Sequence, residues 1–171
     1  PEPIIPCRHT RYPSDTRITI ARSATLIYAE TIFSGRRFFG EGERFRYDIL
    51  SFSVKAERDN GEPLFREKFI IRPEQHSPQA VGAMAEFDIV ANVIVLAPEE
   101  VSEDIYASTM PFFDPQEELA AGITRLPNGC GVQYKILGNS SDKVKRTIRR
   151  FASAVRHRVK GHHLKDDFPW R

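Results

Sequence analysis

The sequence predicts a mostly β fold that is closed by one long C-terminal α-helix. Three observations indicate this class. Runs of alternating or continuously apolar residues recur along most of the chain. Two turn signatures, Asp59-Asn60-Gly61 and Pro127-Asn128-Gly129, separate such runs as expected for hairpins. Near the end of the chain, apolar residues instead recur every three or four positions, which is the helical period.

The strands are predicted from the hydrophobic pattern between residues 16 and 137. In the segment 44–55 the apolar residues change parity at Ile49-Leu50, so we expect a β-bulge there. The segment 86–97 is almost entirely apolar toward its end, so we expect both of its faces to be buried. Residues 74–80 are polar and are predicted to form a loop. The predicted strand segments are 16–33 with a break at Ser23-Ala24, 44–55, 64–73, 86–97, 122–126 and 130–137.

Three helices are predicted from start and stop signals. Residues 98–106 begin with a proline and carry acids in the first turn, where they meet the positive end of the helix dipole. Residues 114–121 are a second short candidate. The long helix is predicted over 142–160, with Ser140-Ser141 as its cap and Gly161 as its end. Its apolar stripe consists of Val144, Ile148, Phe151, Val155 and Val159.

Length, composition and charge fit one globular domain. With 171 residues, of which 40% are hydrophobic, the chain is long enough to bury a core, and we expect a single domain over residues 1–171. The formal net charge of +2 is too small to favour a nucleic-acid or membrane partner on its own. No apolar run approaches the roughly 18 residues of a membrane span, and no signal peptide is recognisable. We therefore expect a cytoplasmic protein with no membrane partner.

The stretch Gly35–Phe45, GRRFFGEGERF, places glycines and acids among arginines and phenylalanines. It has the glycine spacing of a phosphate-binding loop, but it lacks the Lys-Ser/Thr pair that contacts phosphate and metal, and Glu41 and Glu43 would repel a phosphate. A phosphate loop is therefore excluded. Two interpretations stay open: a metal site, or a sharp β-corner in which Arg36 and Arg37 neutralise the acids. The oxygen ligands of such a metal site would be Glu30, Glu41, Glu43 and Asp48.

Histidines and catalytic patterns give little support to a metal centre or an enzyme. The pairs His162-His163 and Cys7-Arg8-His9 supply imidazole and thiolate groups, but neither completes the four ligands of a structural zinc site. No specific Ser-His-Asp arrangement and no G-x-S-x-G motif is present. The residues predict a protein that is not an enzyme; a metal-dependent enzyme would have to use the acids and histidines named above. The weak candidates for metal ligands are Glu41, Glu43, His162 and His163.

The predicted C-terminal helix carries many cations around its apolar stripe. They are compatible with a nucleic-acid-binding module, which is the alternative function, but no aromatic stacking positions accompany them. A helix face that docks an acidic protein explains the cations at least as well, and we favour it. Arg149 and Arg150 are the candidates for that contact. The cations are Lys143, Lys145, Arg146, Arg149, Arg150, Arg156, Arg158 and Lys160.

Three passages in this order carry a resemblance to a known family. In residues 24–45, a strand with Glu30 runs into a G-R-x-x-x-G-E motif. Residues 57–73 place a charged turn before Pro-Leu and a strand with an acid, and residues 126–144 place a Gly-rich turn before a strand that ends in Leu-Gly. Together they resemble the urease accessory protein family UreD, called UreH in some bacteria. The motif residues are Gly35, Arg36, Gly40 and Glu41.

The resemblance implies stacked, β-helix-like sheets with a few short helices and one longer C-terminal helix. It also implies no catalysis, because family members act with UreF and the GTPase UreG to deliver nickel to apo-urease. A transient Ni²⁺ and no tightly bound cofactor are therefore expected. The family is thought to guide the ion through an internal passage, and Glu41 would face either this passage or Arg36 in a buried β-corner. Members are usually longer, so we expect this chain to be the C-terminal part of one.

Overall fold

The computed structural model describes residues 2–165, and within this range the chain forms two β-sheets and two α-helices. The elements are β1 (Arg11–Ile20), β2 (Leu26–Phe33), β3 (Ile49–Arg58), β4 (Pro63–Ile71), β5 (Ile89–Leu96), α1 (Glu99–Ser108), β6 (Phe112–Asp114), β7 (Leu119–Arg125), β8 (Gly131–Gly138) and α2 (Ser141–Lys160). A three-stranded sheet has the order β1-β3-β4, and a five-stranded sheet has the order β2-β5-β8-β7-β6. The predicted fold class, mostly β with a C-terminal helix, is confirmed.

Both predicted hairpins form, but the first two strands separate. β3 and β4 pair antiparallel across Asp59–Gly61, and β7 and β8 pair antiparallel across Pro127–Gly129. β1 runs parallel to β3, whereas β2 pairs with β5 in the other sheet. The two halves of the predicted 16–33 segment therefore belong to different sheets.

The two sheets stack on each other, and the helices cover the outer face of the larger sheet. On β5, Val93 and Val95 face a core cluster that includes α2 residues, while Ile94 and Leu96 pack among residues of the three-stranded sheet. All four side chains are fully buried. This confirms the prediction that the end of the 86–97 segment is buried on both faces.

The long helix α2 follows the predicted pattern closely. The Ser140 hydroxyl accepts a hydrogen bond from the Lys143 N–H at the N-terminus, and the helix ends at Gly161. The apolar stripe faces the five-stranded sheet, so tertiary packing and local capping favour the same segment. Its residues Val144, Ile148, Phe151 and Val155 are buried, and Val159 packs against them at the edge.

The predicted helix over residues 114–121 is wrong. Asp114 ends β6, and its carboxylate accepts hydrogen bonds from the backbone N–H groups of Gln116 and Glu117, both at 3.0 Å. An aspartate that bonds the backbone two and three residues ahead stabilises a turn. Leu119 then begins β7, where alternate residues are buried against the sheet. The hairpin between β6 and β7 therefore replaces the helix.

The bulge expected at Ile49-Leu50 is also wrong. Residues 44–48 are irregular, and β3 begins at Ile49, so the change of parity marks the start of the strand. Phe45 and Tyr47 are buried from the loop side, and Phe45 has a φ of 54°, which no regular strand allows. The register of β3 against β4 shifts later, between Ala56 and Glu57.

Candidate functional site

The G-R-x-x-x-G-E motif forms a loop between β2 and β3, which we call the 34–48 loop. Arg36 donates from Nε and Nη2 to the two carboxylate oxygens of Glu43, at 2.6 and 2.8 Å. This forked ion pair holds the pKa of Glu43 below its usual range. Glu41 is exposed near the tip of the loop. Of the two alternatives expected for Glu41, contact with Arg36 does not form, because the turns at Gly40 and Gly42 direct the chain back so that Glu43 meets the guanidinium. That Glu41 faces a passage stays a prediction.

The buried carboxylate of Asp88, just before β5, anchors the same loop. It accepts hydrogen bonds from the Ser34 hydroxyl at 2.9 Å and from Arg37 Nη1 at 2.7 Å, and Arg44 Nε also donates to it. Asp88 is only 7% exposed, so two arginines compensate its burial. Asp88 is not recognisable as an anchor from the sequence, because the arginines that pair with it lie more than forty positions away.

The tip of the 34–48 loop does not form the buried β-corner that was expected. Ser34 and Gly35 are buried, but residues 37–41 are exposed. Phe38 is 92% exposed, and the guanidinium of Arg36 lies 3.8 Å from the centroid of the Phe39 ring. The loop therefore has a fixed base and an aromatic tip in solvent.

The Arg36–Glu43 pair gives a pH-dependent prediction. Because the folded-state pKa of Glu43 is depressed, the pair stabilises the protein above the ordinary glutamate pKa of about 4.3, and this contribution is lost as the pH falls through the lower folded-state value. The Glu43→Gln variant should melt at a lower temperature than the parent at pH 7. The difference should shrink below about pH 4. Melting curves from neutral to acid pH test this, and a constant difference would contradict it.

A cavity of about 340 Å³ lies between the two sheets. Apolar side chains of both sheets form most of its wall, and the sheet register places a polar row across it. Glu30 on β2 lies opposite Asn92 on β5, which lies opposite Lys135 on β8. All three residues line the cavity. Glu30 and Asn92 are half-buried and Lys135 is exposed, so the row leads from solvent into the space between the sheets, where polar groups are costly to bury unless they are paired.

Glu67 on β4 meets this row from the opposite sheet. Its carboxylate accepts hydrogen bonds from Gln133 Nε2 at 2.7 Å, from Asn92 Nδ2 at 3.3 Å and from Lys135 Nζ at 3.3 Å. The Glu67 side chain is 25% exposed, so it retains access to solvent. The two carboxylates of the cavity therefore come from different sheets.

Glu30 and Asn92 complete the set of oxygen atoms. Glu30 accepts a hydrogen bond from the Tyr28 hydroxyl at 2.6 Å. Burial, with this carboxylate as a second cause, raises the pKa of Tyr28 to about 12, so Tyr28 stays a neutral donor. Within the described residues, the buried Asn92 Oδ1 has no hydrogen-bond partner. The cavity thus presents two carboxylates and one unpaired amide oxygen, which are oxygen ligands of the kind that cations take, together with the imidazole of His76 and the guanidinium of Arg72.

Comparison with known proteins shows the family of the chain. The sequence model of the family described as "UreD urease accessory protein" matches residues 1–171. The chain belongs to the UreD family. It is 39% identical over 170 residues to the urease accessory protein UreD 2 of Brucella suis, covering 99% of this chain and 56% of that protein. It is 42% identical over 171 residues to the urease accessory protein UreD of Yersinia pseudotuberculosis, covering 100% of this chain and 53% of that protein.

This UreD-family chain spans about half the length of the curated relatives it matches. Its resemblance in sequence to the family is thus confirmed over the whole chain. None of the helices in residues 2–165 has the length and hydropathy needed to cross a membrane.

The other predicted site residues of this UreD-family chain lie apart from the cavity. His162 accepts a hydrogen bond from Arg156 Nη2 at 3.1 Å, and His163 stacks on His157 with ring centroids 4.3 Å apart. Arg149 donates to the backbone carbonyl of Lys165, and Arg150 is exposed on α2. Over residues 2–165, no three His, Cys, Asp or Glu side chains group so as to hold a metal ion. The roles of the motif residues, of Arg149 and Arg150, and of the candidate ligands Glu41, Glu43, His162 and His163 stay predictions.

The cavity residues Glu67, Asn92 and Lys135 are not among the site residues predicted from the sequence. A signal existed for Asn92, which is the one polar residue within the apolar run 89–97. Glu67 and Lys135 sit in strands that contain other charged residues, so nothing in their local sequence marks them. The three residues come close to Glu30 through tertiary structure: β2, β5 and β8 pair in one sheet, and β4 stacks on them from the other.

Proposed function

We propose that this chain acts as a scaffold in urease maturation and helps to deliver nickel to apo-urease together with UreF and UreG. Its membership of the UreD family and the urease accessory names of its relatives support this role. In this proposal the protein works in the cytoplasm, catalyses no reaction and holds Ni²⁺ only as transient cargo. The family match and the names of the relatives give the nucleic-acid alternative no support.

The observation that carries the proposal is the polar row inside the inter-sheet cavity. An ion that must pass through a protein needs ligands that hold it weakly enough to release it. Nickel prefers imidazole, and the cavity offers only His76 of this type, so the carboxylates of Glu30 and Glu67 and the amide oxygen of Asn92 would bind the ion more loosely than a site of several histidines. The ammonium of Lys135, 3.3 Å from Glu67, balances the site when no cation is present. This arrangement supports transfer of an ion rather than storage.

The test replaces both cavity carboxylates, Glu30→Gln and Glu67→Gln, in the complete reading frame that encodes this chain. With urease, UreF and UreG co-expressed, we expect the nickel content and activity of urease to fall about tenfold or more, the range seen when groups around a metal are altered. Co-purification with UreF should stay at the parent level, and the melting temperature should fall only slightly, because the lost ion pair between Glu67 and the half-exposed Lys135 contributes little to stability.

Glu41→Gln is the matched comparison, because it makes the same chemical change at the exposed tip of the 34–48 loop. We expect it to leave urease activation near the parent level. If Glu41→Gln lowers activation and the cavity pair does not, the loop rather than the cavity serves nickel delivery. If the parent protein does not co-purify with UreF, the assignment to urease maturation fails.

A further inference from the structure

A second concave surface lies on the other side of the five-stranded sheet, between the end of α1, the edge strand β6 and α2. We call it the α2 groove. Its volume is about 700 Å³, and it is separate from the inter-sheet cavity. Tyr134 and Phe151 line it, and their rings stack with centroids 4.4 Å apart. The α2 groove therefore has an ordered aromatic floor.

One rim of the α2 groove is apolar and exposed. Met110 is 76% exposed and Phe112 is 39% exposed, and both line the groove. Phe112 begins β6, which pairs with β7 and is the last strand in the order of the five-stranded sheet. Exposed apolar side chains gathered beside a sheet edge are typical of surfaces that contact another protein.

The opposite rim carries two arginines that pair with no carboxylate in the described part of the chain. Arg146 and Arg150 line the groove from α2, and within residues 2–165 neither forms an ion pair with a carboxylate. By contrast, Lys143 in the same groove pairs with Glu117 at 3.0 Å, and Arg158 farther along α2 pairs with Asp104 at 2.7 Å. The two groove arginines are thus available to carboxylates from outside.

We infer that the α2 groove binds an acidic segment of a protein partner that also carries apolar side chains. Carboxylates of the segment would meet Arg146 and Arg150, and its apolar side chains would pack on Met110 and Phe112. Two carboxylates also line the groove, and both are already engaged: Glu117 pairs with Lys143 at 3.0 Å, and Asp114 accepts hydrogen bonds from the backbone N–H groups of Gln116 and Glu117. A peptide can place its carboxylates opposite Arg146 and Arg150 and apolar side chains elsewhere, whereas every nucleotide of a nucleic acid carries a phosphate. This inference does not depend on the passage of nickel.

The experiment measures fluorescence anisotropy of a fluorescein-labelled peptide with glutamates on one helical face and leucines on the other. A random-sequence DNA duplex is the second probe. We expect the protein to bind the peptide with an affinity that falls as salt rises, and the Arg146→Glu/Arg150→Glu variant to bind about tenfold more weakly or worse. Lys145→Glu/Lys160→Glu changes the charge of α2 equally at exposed positions outside the groove, and it should bind nearly as the parent does.

Photocrosslinking provides a measurement that needs no charge reversal. Position 154 is exposed on α2 and lines the groove, so a benzophenone amino acid is placed there. It should crosslink to the acidic peptide in the parent background. The inference is overturned if the parent does not bind the peptide, if both double variants weaken binding equally, or if position 154 does not crosslink. It is also overturned if the DNA duplex binds more tightly than the peptide and loses that binding in the Arg146→Glu/Arg150→Glu variant.

Discussion

Replacing Phe151 with alanine should lower the free energy of unfolding by roughly 3–5 kcal/mol. Phe151 is 6% exposed, and its ring stacks on Tyr134 of β8 at an interplanar angle of 25°. It lies in the centre of the stripe that attaches α2 to the five-stranded sheet. Its removal takes away buried apolar area and an aromatic pair, and the rigid sheet beneath cannot move to fill the space.

Urea unfolding followed by circular dichroism measures this loss. The Arg146→Glu/Arg150→Glu variant serves as the control on the same helix, since both arginines are exposed and such surface changes usually stay within about 0.5 kcal/mol. The assignment of helix faces would be contradicted if the charge reversal unfolded the protein while Phe151→Ala did not. The free energy of unfolding of Arg146→Glu/Arg150→Glu also shows whether a loss of peptide binding in that variant comes from the removed charges or from unfolding.

The sequence predicts α2 to within one residue because every signal for it is local. Its cap at Ser140, its apolar stripe and its end at Gly161 lie within one continuous segment. The hairpins at Asp59–Gly61 and Pro127–Gly129 are predictable for the same reason. Residues 114–121 show where local signals mislead, since acids after a proline suit a helix start as well as the turn that Asp114 forms.

The candidate site could not be predicted to the same extent, because it depends on pairings between distant segments. Glu30 drew attention through the family motif, but its function in the cavity depends on Asn92 and Lys135, which the sheet register places opposite one another. Glu67 comes from the other sheet. Within the 34–48 loop, the choice between Glu41 and Glu43 as the partner of Arg36 is decided by turn geometry, which the pattern of residue types does not specify.

The second large effect is expected at Gly35, where alanine should cost about 3–5 kcal/mol. Gly35 has a φ of +138°, a conformation that residues with a side chain rarely adopt, and an added Cβ would lie 2.1 Å from the carbonyl oxygen of Glu43. Real Cβ atoms do not come so close to backbone, so the returning strand of the loop must move. That movement would stretch the Phe45 N–H bond to the Ser34 carbonyl, now 2.6 Å, and pull Glu43 from Arg36.

Gly40→Ala is the matched control in the same loop. Gly40 also has a positive φ, +56°, but a Cβ there would meet no atom within 4 Å. It should cost only about 1 kcal/mol, the strain of a left-handed conformation without a clash. Urea unfolding of both variants distinguishes close backbone contact from conformational strain. Equal losses of stability would mean that positive φ alone makes both glycines necessary. A larger loss at Gly35 would show that the close contact between Gly35 and Glu43 at the base of the loop stabilises the motif. The exposed aromatic tip would then contribute little to stability.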